Sequence, residues 1–395
     1  MPVKVFLGSG IISLATAYYT LLQSPSTHIH IIDPSPTPYP GASRKAAGFL
    51  AKDWFAPAVA PLGALSFALH RELAEIHGGA ERWGYAASIG VSLAGSEEGS
   101  GRGEDWLLEG TSRATTASSE VRERSAVPPW VVSEGEAEMI SGAGTTAQVE
   151  PERLCTFLYE TLVAQGVEFH LGVRTERVVS ERGVIVGVDI IGDKGTVRHV
   201  ACDQLLIACG AWSRIVFEHL FPAAETTLGI SALAGYSLVV RSPRWQPAAG
   251  DAPVAYSAVF TVASAAEGGW APEVFSRRNG DIYIGGLNTC SLPIPASAAD
   301  STAGIGGDEL ESMLRVSRRL LGEDVEVVRT GLCFRPVTGE GRPVVAVVKA
   351  GVAGVWVAAG HGPWGISLSL GTGKVMADMM AGREAEVDVS GLEVC

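Results

Sequence analysis

The stretch that most constrains this chain is Val3 to Leu14, Val-Lys-Val-Phe-Leu-Gly-Ser-Gly-Ile-Ile-Ser-Leu, continuing through Ala15 to Leu22. A short apolar run breaks at Gly8 and Gly10 and resumes with helical spacing, which predicts a strand, a tight turn and a helix in succession. Gly8 permits the turn. Gly10 has no Cβ, so the backbone there can come close to phosphate oxygens, while the unpaired N–H groups of the first helical turn, at Ile11 and Ile12, supply hydrogen bonds. Ser13 stands where such a motif usually carries a third glycine, and its small side chain still allows the helix to pack closely on the strand. A second strand, His28-Ile29-His30-Ile31-Ile32, ends in Asp33 about 20 residues on, where a carboxylate accepts the hydroxyls of a ribose. The same opening also scans as a secretory signal, with Lys4 before the apolar residues Val5 to Leu22. A signal needs no glycine turn, however, and no small-residue cleavage pattern follows. The spacing favours a dinucleotide-binding lobe.

At 395 residues the chain exceeds one ordinary core, so two lobes are expected. No apolar run reaches the ~18–20 residues that span a bilayer. A net charge of −13 repels phosphate backbones and anionic lipid, which argues against nucleic acid or membrane as the main partner and for a small molecule. The cysteines Cys155, Cys202, Cys209, Cys290, Cys333 and Cys395 are scattered without a disulfide framework, and no histidine lies at zinc spacing from a cysteine. His28 and His30, two apart on a strand, read as one surface face. The expectation is a reduced, metal-free protein of the cytoplasm; its Glu-Val-Cys end lacks the peroxisomal Ser-Lys-Leu.

Beyond Asp33, Pro34, Pro36, Pro38, Pro40 and Gly41 predict a loop, and Leu62, Leu65, Leu69, Leu73 and Ile76 an amphipathic helix stopped at Gly78-Gly79. Residues Gly95 to Ser119 read as an exposed loop or insertion. A helix opens at Pro151 and ends before Gly166, followed by a meander over Val173 to Val179, Val184 to Ile191 and Thr196 to Val200. The run Leu205-Leu206-Ile207-Ala208 is apolar on both faces, as in a strand buried in a parallel sheet, and stops at Cys209-Gly210-Ala211-Trp212. Residues 223 to 331 change to strand-like runs at Tyr236 to Val240 and Ala255 to Val262. A hairpin follows, with Asn279-Gly280 as a type I′ turn between Val274 to Arg278 and Asp281 to Gly285. A helix carrying Leu310, Met313, Leu314, Val316, Ser317 and Leu320 comes next. From Gly331 buried strands return at Val344 to Val348 and Val355 to Ala359, then Gly360-His361-Gly362-Pro363-Trp364-Gly365 and a last helix from about Ile366 to Ala381. The fold class expected is α/β, a Rossmann-type lobe with a second lobe built on a mostly antiparallel sheet.

The combination Gly8-x-Gly10-x-x-Ser13, Asp33, Ser43-x-Lys45-Ala46-x-Gly48, Ala208-Cys209-Gly210-Ala211-Trp212-Ser213, Cys333-Phe334-Arg335-Pro336 and Gly360-His361-x-x-Trp364-Gly365-Ile366 resembles the FAD-dependent D-amino-acid oxidase superfamily, which includes glycine and sarcosine oxidases. With Gly48-Phe49-Leu50-Ala51 and Trp54, the N-terminal part is most similar to a fungal and plant branch of FAD oxidoreductases of poorly assigned substrate. The resemblance implies an FAD-binding lobe from residues 1–85, 150–222 and 332–395, and a substrate lobe from 86–149 and 223–331 roofing the flavin. Cofactor contacts it implies are Gly8, Gly10, Ile11, Ile12, Asp33, Ser43, Arg44, Lys45, Ala46, Gly48, Phe49, Arg174, Val178, Cys209, Gly210, Trp212, Arg335, Gly362, Pro363, Trp364, Gly365 and Ile366. Arg44 and Ala47 stand where many relatives carry glycine, which implies either a more weakly bound phosphate end or one to which Arg44 adds a cation.

The reaction implied is oxidation of the C–N bond of a small amine or amino acid, by hydride transfer to flavin N5 with oxygen as acceptor. Backbone N–H groups from Gly362 to Gly365 either stabilise charge growing at flavin N1 and the C2 carbonyl or belong to a tight turn that the glycines simply permit. Arg335 and His361 are the candidate catalytic residues. Arg335 corresponds to the arginine that holds the substrate carboxylate, with a structural ion pair as its alternative; His361 either faces the flavin or braces the turn. Cys333 corresponds to the covalent flavin link of the sarcosine-oxidase branch, but a buried thiol beside non-covalent FAD is expected. A flavin-bearing scaffold with little turnover and a nicotinamide-dependent dehydrogenase are the alternatives.

Overall fold

Val3–Leu7 forms a strand in the interior of a six-stranded sheet, which explains why Val5, Phe6 and Leu7 are all apolar, while buried Lys4 donates to Met380 O. The order is Val344–Val347, Val355–Ala359, Gln204–Ile207, Val3–Leu7, His28–Asp33 and Glu168–Leu171. Every neighbouring pair is parallel except the first, which is antiparallel. Alternate residues serve opposite faces. Phe6 and Leu206 pack with helices Ile11–Gln23, Pro151–Ala164 and Ser369–Met380, while Val5, Leu7 and Ile207 pack with helix Ser213–Leu220 and the antiparallel meander Val173–Glu181, Val184–Gly192 and Val197–Ala201. The computed structural model describes residues 1–93, 113–117, 123–132, 137–192, 194–247, 256–261 and 270–394. No helix among them is long and apolar enough to cross a membrane.

A second, 11-stranded sheet lies against this unit. Its long strand Ile230–Arg241 is flanked by Glu326–Thr338 on one side and by Asp281–Gly285 and Asn288–Thr289 on the other, all antiparallel. The sheet continues through Glu273–Ser276 and Tyr256–Phe260 to Ala86–Leu93, which is parallel to its neighbour. Helix Gly307–Leu321 packs on it through Met313, Val316 and Leu320, the stripe seen in the sequence.

Strand Glu326–Thr338 pairs with Ile230–Arg241 through Thr338 and so carries residues on both sides of position 331/332. One expectation needs correction. The Asn279-Gly280 turn is not type I′, because of the two only Gly280 has positive φ, at 89°. Gly280 N–H donates to Arg277 O and Arg277 N–H to Asp281 O, which is a three-residue loop closed by a left-handed glycine. The Asn279 side chain selects it, accepting from Asp281 N and donating to the Asp281 and Glu150 carboxylates. Of the segment read as a loop over Gly95 to Ser119, only residues 113–117 are described, and Arg113–Thr116 form a 3₁₀ turn.

Candidate active site

The first turn is held from both sides. Gly8 has φ 91° and its N–H donates to Ile32 O; a Cβ there would lie 2.7 Å from Ala208 O, so only glycine fits between the two strands. Asp33, 7% exposed, accepts from Ser9 N and Ser9 Oγ through Oδ2, each at 2.8 Å, and from Ser35 N through Oδ1 at 2.9 Å. Its carboxylate thus fixes the glycine turn. Gly10 is the N-cap of helix Ile11–Gln23 and has no side chain with which to cap it, and no acid stands in the first turn. Ser43 Oγ accepts from Ile11 N at 3.0 Å, which brings residues 42–48 over the helix start.

A cleft of ≈ 440 Å³ runs from this helix start along the 42–48 segment to the second sheet. At the helix start it is lined by Gly8, Gly10, Ile11, Ile12, Asp33 and Arg174. Its middle is lined by Ser43, Ala46, Gly48, Phe49, Cys209, Gly210 and Trp212, and its far end by His361, Gly362, Pro363, Gly365, Ile366, Cys333 and Arg335. Four residues stand differently. Arg44 pairs with Glu152 at 2.6 Å, away from the cleft. Lys45 Nζ donates to Ser301 Oγ and Leu332 O, tying the segment to the second sheet. Val178 faces Val188 within the meander. Trp364 lies behind the lining, 5% exposed, against Phe49, Trp54 and Phe55.

His361 is 2% exposed, and its Nε2 meets Thr372 Oγ1 at 3.0 Å, bracing the Gly362–Trp364 turn against the last helix. Burial pushes its pKa down to about 3, so the ring is neutral at pH 7. Cys333 and Arg335, two apart on one strand, face the cleft together; Cys333 is 4% exposed. Arg335 Nη1 donates to Asn288 Oδ1.

Three further residues at this end carried no sequence signal. Arg113 Nε and Nη2 donate to the two oxygens of Glu273, each at 2.9 Å, in a buried bidentate pair. Its guanidinium lies 4.8 Å from the centre of the Trp364 ring. Burial lowers the Arg113 pKa, with Glu273 opposing and the Arg335 charge adding to the effect. Tyr283 also lines the cleft, and Arg277 packs on its ring while donating to Ala46 O and Ala47 O. Arg113 sits in polar sequence without periodicity, and Glu273 precedes an apolar strand. Neither context separates these residues from ordinary surface charge.

The donor set suits a dinucleotide. A helix start with a glycine N-cap and no acid in its first turn, with a serine hydroxyl across it, suits a diphosphate; a strand-end carboxylate lies beside it; and a wide slot between apolar walls follows.

The family model of FAD-dependent oxidoreductases matches residues 5–379. A Schizosaccharomyces pombe protein described as an oxidoreductase is 26% identical over 356 residues, 86% of this chain and 82% of that one. A D-amino acid dehydrogenase of Allorhizobium ampelinum is 25% identical over 232 residues, which span 58% of this chain and 48% of the relative. The glycine oxidase of Geobacillus kaustophilus has the same fold, with a TM-score of 0.77 and 22% identity over 100% of this chain and 99% of that one. The chain therefore belongs to the family of FAD-dependent oxidoreductases, with FAD as its cofactor.

Proposed function

We propose that this enzyme oxidises the C–N bond of a small amino acid or N-substituted amino acid, binding the substrate carboxylate through Arg335 and using oxygen as the final acceptor. The observation that carries the reading is Arg335 itself. Its guanidinium lines the far end of the cleft, and Asn288 is its one hydrogen-bond partner among the described residues. The remaining fork matches a carboxylate in two parallel hydrogen bonds. FAD, when bound, supplies the two-electron acceptor. The helix start with Ser43 would hold its diphosphate, and the Gly362–Ile366 backbone would face its ring system. Phe49 and Trp364 keep water from that end of the cleft, and neutral His361 positions the turn. The relatives named glycine oxidase and D-amino acid dehydrogenase support an amino-acid substrate.

The test is peroxide formation from glycine, N-methylglycine and proline against methylamine, dimethylamine and pyrrolidine. Turnover of the acids alone is expected. Equal turnover of the decarboxylated amines would remove the carboxylate role, and flavin reduction without peroxide would exclude oxygen as acceptor.

A further inference from the structure

His30 and Glu168 are register partners on the adjacent parallel strands His28–Asp33 and Glu168–Leu171, and His170 stands two residues beyond Glu168. Partners across a ladder share a face, as do residues two apart, so all three side chains leave the sheet together. His30 Nδ1 lies 3.1 Å from His170 Nε2 and 3.7 Å from Glu168 Oε2, and the three donor atoms all fall within 4.8 Å of one another. A tetrahedral ion with bonds of about 2.0–2.1 Å holds its ligand atoms about 3.3 Å apart, between the distances His30 makes to His170 and to Glu168.

We propose that His30, Glu168 and His170 bind one divalent transition ion of the zinc type, with water in the fourth position. Two imidazoles and a carboxylate are a donor set suited to such an ion rather than to calcium or magnesium. In the neutral pair one of the facing nitrogens carries a proton; binding moves it to that ring's outer nitrogen by tautomer exchange, with no net proton lost. Glu168, on the exposed side, gives access from solvent and offsets the nearby Arg198 charge.

The site clasps an edge. Glu168–Leu171 is the last strand of its sheet and pairs there with His28–Asp33. It leads to Gly172, whose N–H donates to Ser35 O, and to Arg174 in the cleft lining. An ion here would pin the strand that enters the nucleotide end of the cleft, and would stabilise the native state by mass action.

The experiment titrates chelator-washed holoprotein with cobalt(II), whose tetrahedral d–d bands report geometry, and then displaces it with zinc(II). One equivalent with tetrahedral bands is expected. His30→Ala and His170→Gln should each weaken binding more than about 100-fold while retaining flavin absorbance, and His28→Ala should leave binding unchanged. Absence of tetrahedral bands at one equivalent, or wild-type affinity in folded His30→Ala and His170→Gln, would overturn the proposal.

Discussion

A Cβ built on Gly235 would overlap the guanidinium of Arg335, whose Nη1 meets Asn288 from across strand Ile230–Arg241. The missing side chain is what lets the arginine lie over that strand and present its fork to the cleft. Gly235→Ala should therefore displace the guanidinium and leave flavin content intact. KM for an acidic substrate should rise about tenfold, equivalent to roughly 1.4 kcal/mol, as steady-state kinetics would record. At the other end, Gly10→Val places a branched side chain at the helix start, where even a Cβ lies 3.2 Å from Ser43 Oγ. It should abolish flavin retention, read as the ratio of flavin to protein absorbance. The strand, turn and helix around Gly10 and the strand that ends at Asp33 were legible because their spacing is local. Arg113 and Glu273 were not, because 160 residues separate the two halves of the pair and only the tertiary fold joins them. The pairing of Arg44 with Glu152, in helix Pro151–Ala164, was hidden for the same reason, since its position in a motif says nothing of a partner so distant in sequence.

Two histidines tie elements together. His70, in helix Ala60–His77, reaches Ile366 O through Nε2 at 2.9 Å, and burial pushes its pKa down to about 4. His361 is held to about 3 by the same cause. As pH falls below the ordinary 6.5 the unfolded chain binds these protons first, so stability is full above that value and is lost toward the folded-state values. Each histidine contributes up to about 1.4 kcal/mol per pH unit. His70→Gln should therefore show a shallower fall of Tm between pH 7 and pH 5 than the wild type. Arg113 and Glu273 join the 3₁₀ turn Arg113–Thr116 to strand Glu273–Ser276. Arg113→Met leaves a buried carboxylate unpaired and should cost about 3–5 kcal/mol in unfolding free energy, while Arg113→Met with Glu273→Leu should recover most of it. Helical stripes such as Leu62, Leu69 and Leu73 were legible at this scale because burial repeats along one element. The hairpin turn was not, because the choice between loops lay with the Asn279 side chain and its partners Asp281 and Glu150.

At the scale of the whole molecule, chain order and spatial order diverge. The parallel sheet draws strands from both ends and the middle of the sequence, and the alternation of buried strands with glycine turns revealed that interruption. The long strand Glu326–Thr338 hid it in one place, carrying Cys333 and Arg335 on the second sheet although their motif reads with the C-terminal segment. Lys45 and Arg277 fasten the 42–48 segment to that sheet, so the cleft is walled by both units. Its apolar walls end at Arg335, the residue proposed to select a carboxylate-bearing amine for oxidation. Anaerobic mixing with an excess of amino acid, followed at the flavin absorbance, tests it directly in the wild type and in Arg335→Met. The wild-type flavin should bleach, and Arg335→Met should keep its bound flavin but bleach at least about 30-fold more slowly, the equivalent of about 2 kcal/mol. Equal bleaching in the two proteins, or a wild type that no amino acid bleaches, would contradict the claim.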